Sequence, residues 1–323
     1  MKILLLFIIS LVLVAFGQPS FSHSCALLAS ICGFAPLLYV LRNQSPKRRF
    51  WYGTLFFSLV QLIQLFWLTS HPYAYIYLVW VGLSFLMGLQ FGCITLAATQ
   101  AQLLRFSGAL FIASLWTLME WSRLFFLTGF TFNPIGLAAA SNPLLLQSAA
   151  LVGIYGLSFL VALINCLITR VLIEKSFRAC LYSFLAIFIP LCFGAFRFNT
   201  KDTHPAPNFK TIIIQTRIMP EELEIDGGRK NLVEEGLQTW KAITQALEPY
   251  RLHAPYDLIL LPEIVVPYDG QAPMYLLEKV SEFIHSPLSP IGFTADNIAY
   301  VSSYAISSAL ADELKTPFLT GLE

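Results

Sequence analysis

The chain has 323 residues, of which 56% are hydrophobic, 14% aromatic and only 12% charged, with a formal net charge of +1. Its mean hydropathy of +0.67 excludes an ordinary water-soluble globule and indicates a polytopic membrane protein. The near-neutral charge gives no reason to expect a nucleic-acid partner.

Charge divides the chain. Before residue 201 the only acids are Glu120 and Glu174, and the other seventeen of the nineteen lie in 201–323. Two solvents are implied: lipid around a transmembrane helical domain, 1–200, and water around a second domain, 201–323. Lys201, Asp202, His204, Pro205 and Pro207 read as the linker, within Asn199 to Asn208.

Seven apolar spans follow in order, at 3–16, 25–41, 52–69, 74–98, 106–127, 146–173 and 177–196. Several approach the ~20 residues that a bilayer core requires. The first reads as a retained helix rather than a cleaved leader, because its cleavage pattern is weak and apolar spans follow directly. Lys and Arg concentrate before span 1 and in alternate connections, whereas 17–24, 70–73 and 128–145 carry none. The positive-inside rule then puts the N-terminus in the cytoplasm and residues 201–323 on the outer face. Glu120 and Arg123 lie inside the fifth span, near its outer end. At i and i+3 they share a helix face. Intramembrane charges mark functional sites, and an interfacial ion pair that merely fixes the helix remains the alternative. The six cysteines, at 25, 32, 93, 166, 180 and 192, sit in apolar segments without metal-ligand spacing. They read as small buried hydrophobes. No metal or organic cofactor is implied.

In the second domain, Lys210 to Gln215 is β-branched and predicts a strand. Residues 229–250 predict an amphipathic helix, with Leu232, Leu237, Trp240, Ile243 and Leu247 near helical spacing. Leu258 to Leu261 predict a strand buried on both faces and ended by Pro262. Pro273 to His285 predict a helix, 302–315 another, and Pro317 to Gly321 a strand. The order describes an α/β sheet. Glu263 falls just past the carboxyl end of this buried strand, where such sheets present their chemistry. Burial there would raise its pKa and suit it to general-base work; a solvated Glu in a turn is the other reading.

Strand, helix, then Asp257-Leu-Ile-Leu-Leu-Pro-Glu263 resembles the carbon–nitrogen hydrolase (nitrilase) fold, an αββα architecture whose first catalytic residue is a Glu in this setting. Trp116-Thr-Leu-Met-Glu-Trp121, Arg123, Thr128-Gly-Phe130 and Gly153-Ile-Tyr-Gly-Leu-Ser-Phe159 resemble, in order and spacing, signatures of the membrane-bound apolipoprotein N-acyltransferase family. The resemblance implies two-step acyl transfer at a bacterial inner membrane, with the nitrilase-like domain in the periplasm. A cysteine thiolate takes a fatty acyl chain from a phospholipid donor, and the thioester acylates the N-terminal amine of a diacylglyceryl-apolipoprotein. Glu acts as base, and a Lys stabilises the oxyanion. Only the Glu carries over, to Glu263, with Glu120, Arg123 and Tyr155 as possible functional residues of the membrane domain. No cysteine follows Cys192, and Lys279 and Lys315 lie in predicted helices, so nucleophile and catalytic Lys are absent. Thr216-Arg-Ile-Met219 stands where the family has a Gly-Asn-Ile-Pro-like stretch, no Trp stands near Glu224 or Ile225, and Thr131-Phe132 replaces Pro-Trp. The expectation is an incomplete copy, inactive alone, with a complementary C-terminal fragment as a conceivable partner. A membrane-attached nitrilase-type amidase, or a non-catalytic scaffold or transporter, are the competing readings.

Overall fold

A computed structural model of the chain describes residues 2–71, 73–125, 129–200, 208–215, 229–251, 256–263, 270–288, 292–293 and 298–321, with backbone alone at 229–232, 263 and 292–293. The chain forms two compact units, Met1–Asp202 and Thr203–Glu323.

The first unit is a bundle of apolar helices. It opens with α1 (Lys2–Ala15), α2 (His23–Leu28) and a π turn, Ala29–Gly33, that leads into α3 (Ala35–Leu41). The π turn has a cause. Pro36, near the start of α3, has no N–H to close a helical bond onto the carbonyl four residues back, so the turn widens. Polar groups of the turn's backbone are met from outside. Asn165 accepts from Phe34 N–H at 2.8 Å and donates to the carbonyls of Ala29 and Ser30 at 3.2 and 3.1 Å.

Next come α4 (Pro46–Gln64) and α5 (Tyr75–Ala97). Their backbones approach closely because the contact is built from small residues. A Cβ at Gly88 would lie 2.6 Å from the Thr54 carbonyl oxygen, and one at Gly92 2.9 Å from that of Phe50. Then follow α6 (Gln100–Leu103), α7 (Phe106–Ser122), a 3-10 turn at Ile135–Ser141, α8 (Pro143–Leu146), α9 (Ala149–Glu174) and α10 (Phe177–Asn199). Trp116 of α7 meets the rings of Phe34 and Phe91 edge-on, at 4.9 and 5.0 Å between centroids.

Helix occupies each of the seven predicted segments. Among the described residues four helices are long and apolar enough to cross a membrane: His23–Leu41, Tyr75–Ala97, Ala149–Glu174 and Phe177–Asn199, with Lys2–Ala15 apolar but shorter. This unit is a membrane helical domain. The cysteines correct an expectation: Cys166 is buried, but Cys93, Cys180 and Cys192 are exposed on the outside of the bundle. A helix apolar all round does not reveal in its sequence which side meets protein.

The second unit is α/β. Its elements are β1 (Thr211–Ile213), α11 (Arg229–Leu247), β2 (Leu258–Glu263), β3 (Tyr275–Leu276), α12 (Leu277–Ser281), β4 (Gly292–Phe293), β5 (Ala299–Val301), α13 (Ser303–Leu314) and β6 (Phe318–Gly321). β1, β2 and β6 form a parallel sheet with β2 central, and β3, β5 and β4 form a separate antiparallel sheet with β5 central. Trp240, Ile243 and Leu247 turn one face of α11 into the core alongside Ile259 and Leu261.

Two local expectations are corrected. Only Leu277–Ser281 of the segment 273–285 is helical; Tyr275 and Leu276 instead pair with Val301 and Tyr300. The Tyr275 ring is fully buried, and pairing with β5 satisfies backbone that helix would otherwise satisfy. Pro262 does not end its strand. β2 runs to Glu263, with a register shift between Leu260 and Glu263, as expected where a proline lacks the N–H for the ladder. Residues 201–207 of the expected linker, and the stretch 216–225 compared with the family, lie outside the described residues.

Candidate functional site

The membrane domain has a buried polar centre where α5, α7 and α9 meet the 3-10 turn at 135–141. Trp116 and Glu120, one helical turn apart on α7, share a face, and Trp116 Nε1 donates to Glu120 Oε1 at 2.8 Å. The same oxygen accepts from Ile135 N–H at 2.9 Å. The next amide, Gly136 N–H, donates to Ser158 Oγ of α9 at 3.0 Å. Glu120 and Ser158 thus take the first two amides of a short helix, the end that carries partial positive charge.

Gly136 is glycine for want of space: a Cβ there would stand 2.7 Å from both Ile154 O and Ser158 N. Gly153, at the head of α9, adopts φ 64° and ψ −170°, a conformation essentially reserved for glycine. That kink starts the Gly153-Ile-Tyr-Gly156 turn whose carbonyls the 3-10 helix packs against.

Glu120 is 3% exposed and Arg123 8%. Two buried charges this close are tolerable only as partners, and each is the nearest opposite charge to the other. The Arg123 guanidinium also faces Tyr155, which is half-buried, and its Nε donates to Gln90 Oε1 of α5 at 2.9 Å. The structure therefore brings together Glu120, Arg123 and Tyr155. It adds Gln90, Trp116 and Ser158 as the groups that hold them. Gln90 had a sequence signal, an amide within an apolar span. The partnership of Ser158 with residue 136 had none, because it is set by a long-range contact. The cluster can fix a turn and present a guanidinium and a phenol.

Glu263 is the last residue of β2, the central strand of the parallel sheet, and its backbone pairs with Gly321 of β6. The position, at the carboxyl end of the strands, is where such sheets place reactive groups. Its side chain and residues 264–269 lie outside the described residues. Lys279 is on α12, in an exposed ion pair with Glu234 at 3.1 Å. Lys315 caps α13 in a left-handed conformation. Among the described residues no group of His, Cys, Asp and Glu is arranged to hold a metal.

Fold and site together define a membrane helical domain, with a buried charged centre, joined to an α/β unit carrying a glutamate at the carboxyl end of its sheet. Residues 10–167 match the family described as apolipoprotein N-acyltransferase N-terminal domain. The chain is 24% identical to the apolipoprotein N-acyltransferase of Chlamydia pneumoniae over 98% of its own length. By these matches the chain is similar to apolipoprotein N-acyltransferases, which are acyltransferases by name. The chain spans 58% of the length of that curated relative.

Proposed function

We propose that this chain serves in the acylation of lipoproteins: a fatty acyl chain passes from a phospholipid, through a cysteine thioester, to the N-terminal amine of a diacylglyceryl-apolipoprotein. Glu263 is the general base: it takes the thiol proton and passes it to the lysophospholipid oxygen that leaves as the ester breaks, then takes the amine proton and returns it to the cysteine sulfur as the thioester breaks. The observation that carries this reading is the position of Glu263 at the end of the central parallel strand, in a chain whose membrane domain matches the family. Residues 201–323 are read as nitrilase-like, outside a bacterial inner membrane that the first unit crosses seven times from a cytoplasmic N-terminus. The thiol and the oxyanion-stabilising amine come, on this reading, from polypeptide outside these 323 residues, because no cysteine follows Cys192. In the membrane domain, Glu120 fixes the turn at Ile135 and thereby holds Arg123 and Tyr155 in place.

The test is acyl transfer from phospholipid to a diacylglyceryl-cysteine peptide in membranes that contain the complete enzyme. Glu263→Gln is expected to slow transfer by roughly 10²- to 10⁴-fold, the usual contribution of a positioned base, with the protein still inserted. Unchanged transfer would remove Glu263 from the mechanism. Amide hydrolysis without acyl transfer would point to the amidase reading. Solute flux into vesicles, insensitive to Glu263→Gln, would point to a transporter.

A further inference from the structure

The turn between α3 and α4 carries Arg42, Lys47, Arg48 and Arg49. Of the two acids in residues 1–200, Glu120 faces Arg123, and Glu174 pairs with Arg170 at 3.0 Å. Neither is available to this turn.

Arg49 is only 8% exposed. Its Nη1 donates to the Gln44 carbonyl at 3.1 Å, and its Nε is buried without a hydrogen-bond partner. Gln44 immediately precedes Ser45, the N-cap of α4, so the guanidinium is tied to the turn that leads into a helix of 19 residues. Ser45 makes no side-chain cap bond there, and Pro46 has no N–H to offer. The amides of Lys47 and Arg48 thus open the positive end of α4, and both side chains are exposed. Arg42 holds the turn in place: its carbonyl accepts from Gln100 N–H at 3.2 Å, and its guanidinium lies 3.6 Å over the Tyr39 ring. Further along α4, Trp51, Tyr52 and Leu55 are all exposed. Aromatic rings followed by an aliphatic side chain mark the passage from headgroup to hydrocarbon.

We propose that the Arg42–Arg49 turn binds the phosphate of an anionic lipid headgroup. Lys47, Arg48 and the opening amides of α4 grip the phosphate, and the Arg49 charge is tied to the same turn. Free phosphate shares this chemistry; the exposed Trp51, Tyr52 and Leu55 favour the lipid. The proposal does not depend on the acyl-transfer reading.

The test uses the full chain in detergent, titrated separately with phosphatidylglycerol, phosphatidylcholine and inorganic phosphate, with bound species counted by native mass spectrometry. Phosphatidylglycerol should be retained over phosphatidylcholine. The double variant Lys47→Gln/Arg48→Gln, altered only at exposed positions, should retain it at least about tenfold more weakly. Arg178→Gln is the control. It lies at the start of α10, where Ser176 Oγ already accepts from Ala179 N–H at 3.2 Å, and it should change nothing. Equal retention by the double variant, an equal loss in Arg178→Gln, or no preference over phosphatidylcholine would overturn the proposal. Displacement of the lipid by millimolar inorganic phosphate would reassign the site to a free anion.

Discussion

The two units solve the packing problem with opposite currencies. In the membrane domain apolar side chains lie on both sides of the helices: Leu78 and Phe177 are exposed while Leu37 and Leu167 are fully buried. Apolar character alone cannot choose between these faces when the surroundings are lipid. Polar atoms do the choosing, because a polar group left bare in hydrocarbon costs several kcal/mol. Asn165 serves the π turn, Glu120 serves the 3-10 turn, and Gln64 donates to the Val14 carbonyl at 2.9 Å. The α/β unit faces water, and its apolar residues decide. Trp240, Ile259, Ile306 and Leu310 sort inward, and the buried polar trio there, Trp240, Ser303 and Tyr275, is linked by longer bonds of 3.3 and 3.4 Å.

If that contrast is right, removing a buried polar group should matter most in the first unit. Glu120→Ala should have the largest effect, about 3–5 kcal/mol, because it strands the Arg123 charge and the amide of Ile135. Thermal unfolding in detergent reads it directly. Glu120→Gln, which keeps an acceptor but not the charge, should restore only part. Native-like stability in Glu120→Ala would break the contrast at its strongest point.

Asn165→Leu should cost about 2 kcal/mol, since an apolar side chain of similar size leaves Phe34 N–H without an acceptor. A variant as stable as the native protein would show that the π turn satisfies itself. Gly153→Ala isolates backbone from packing. A Cβ there meets open space, so any loss, expected at about 1–2 kcal/mol, comes from the left-handed conformation alone.

The smallest effect belongs to the second unit. Tyr275→Phe keeps the buried ring and should cost only about 1 kcal/mol at neutral pH. Burial pushes the Tyr275 phenol above its usual range, partly offset by hydrogen bonds with Ser303 and Trp240. A group whose folded pKa is raised contributes stability that is fully present below its unfolded value of about 10 and is lost as pH climbs through the folded one. The native protein should therefore lose stability in this unit above about pH 10, and Tyr275→Phe should lose less. Circular dichroism across an alkaline titration of both proteins would sharpen or dissolve this difference.

How much of this was legible beforehand followed the same contrast. The helical segments were readable because a run of apolar residues needs no partner to be recognised. The α11 face at Trp240, Ile243 and Leu247 was readable because water enforces periodicity. Two of the three corrected readings show why the rest was hidden. The helix expected over 273–285 gave way to β3 and a short α12, since a buried Tyr275 pairs with a strand some 25 residues later. Cys93, Cys180 and Cys192 looked like buried residues and are exposed, since lipid-facing and protein-facing apolar positions look alike. Of the candidate centre, Glu120 and Arg123 stood out as charges inside a span; the service of Glu120 to Ile135, fifteen residues on, did not.

By itself the sequence determined where the chain changes in composition, which segments are helical, and which charges are out of place, because these depend on composition and local spacing. Tertiary structure alone decided which partners those charges take. It set Glu120 against a backbone amide, Arg123 against Gln90 and Tyr155, and Glu263 at the end of a central strand. Those assignments rest on contacts between residues far apart in the chain, and a buried polar atom takes whichever partner the fold brings within hydrogen-bonding distance.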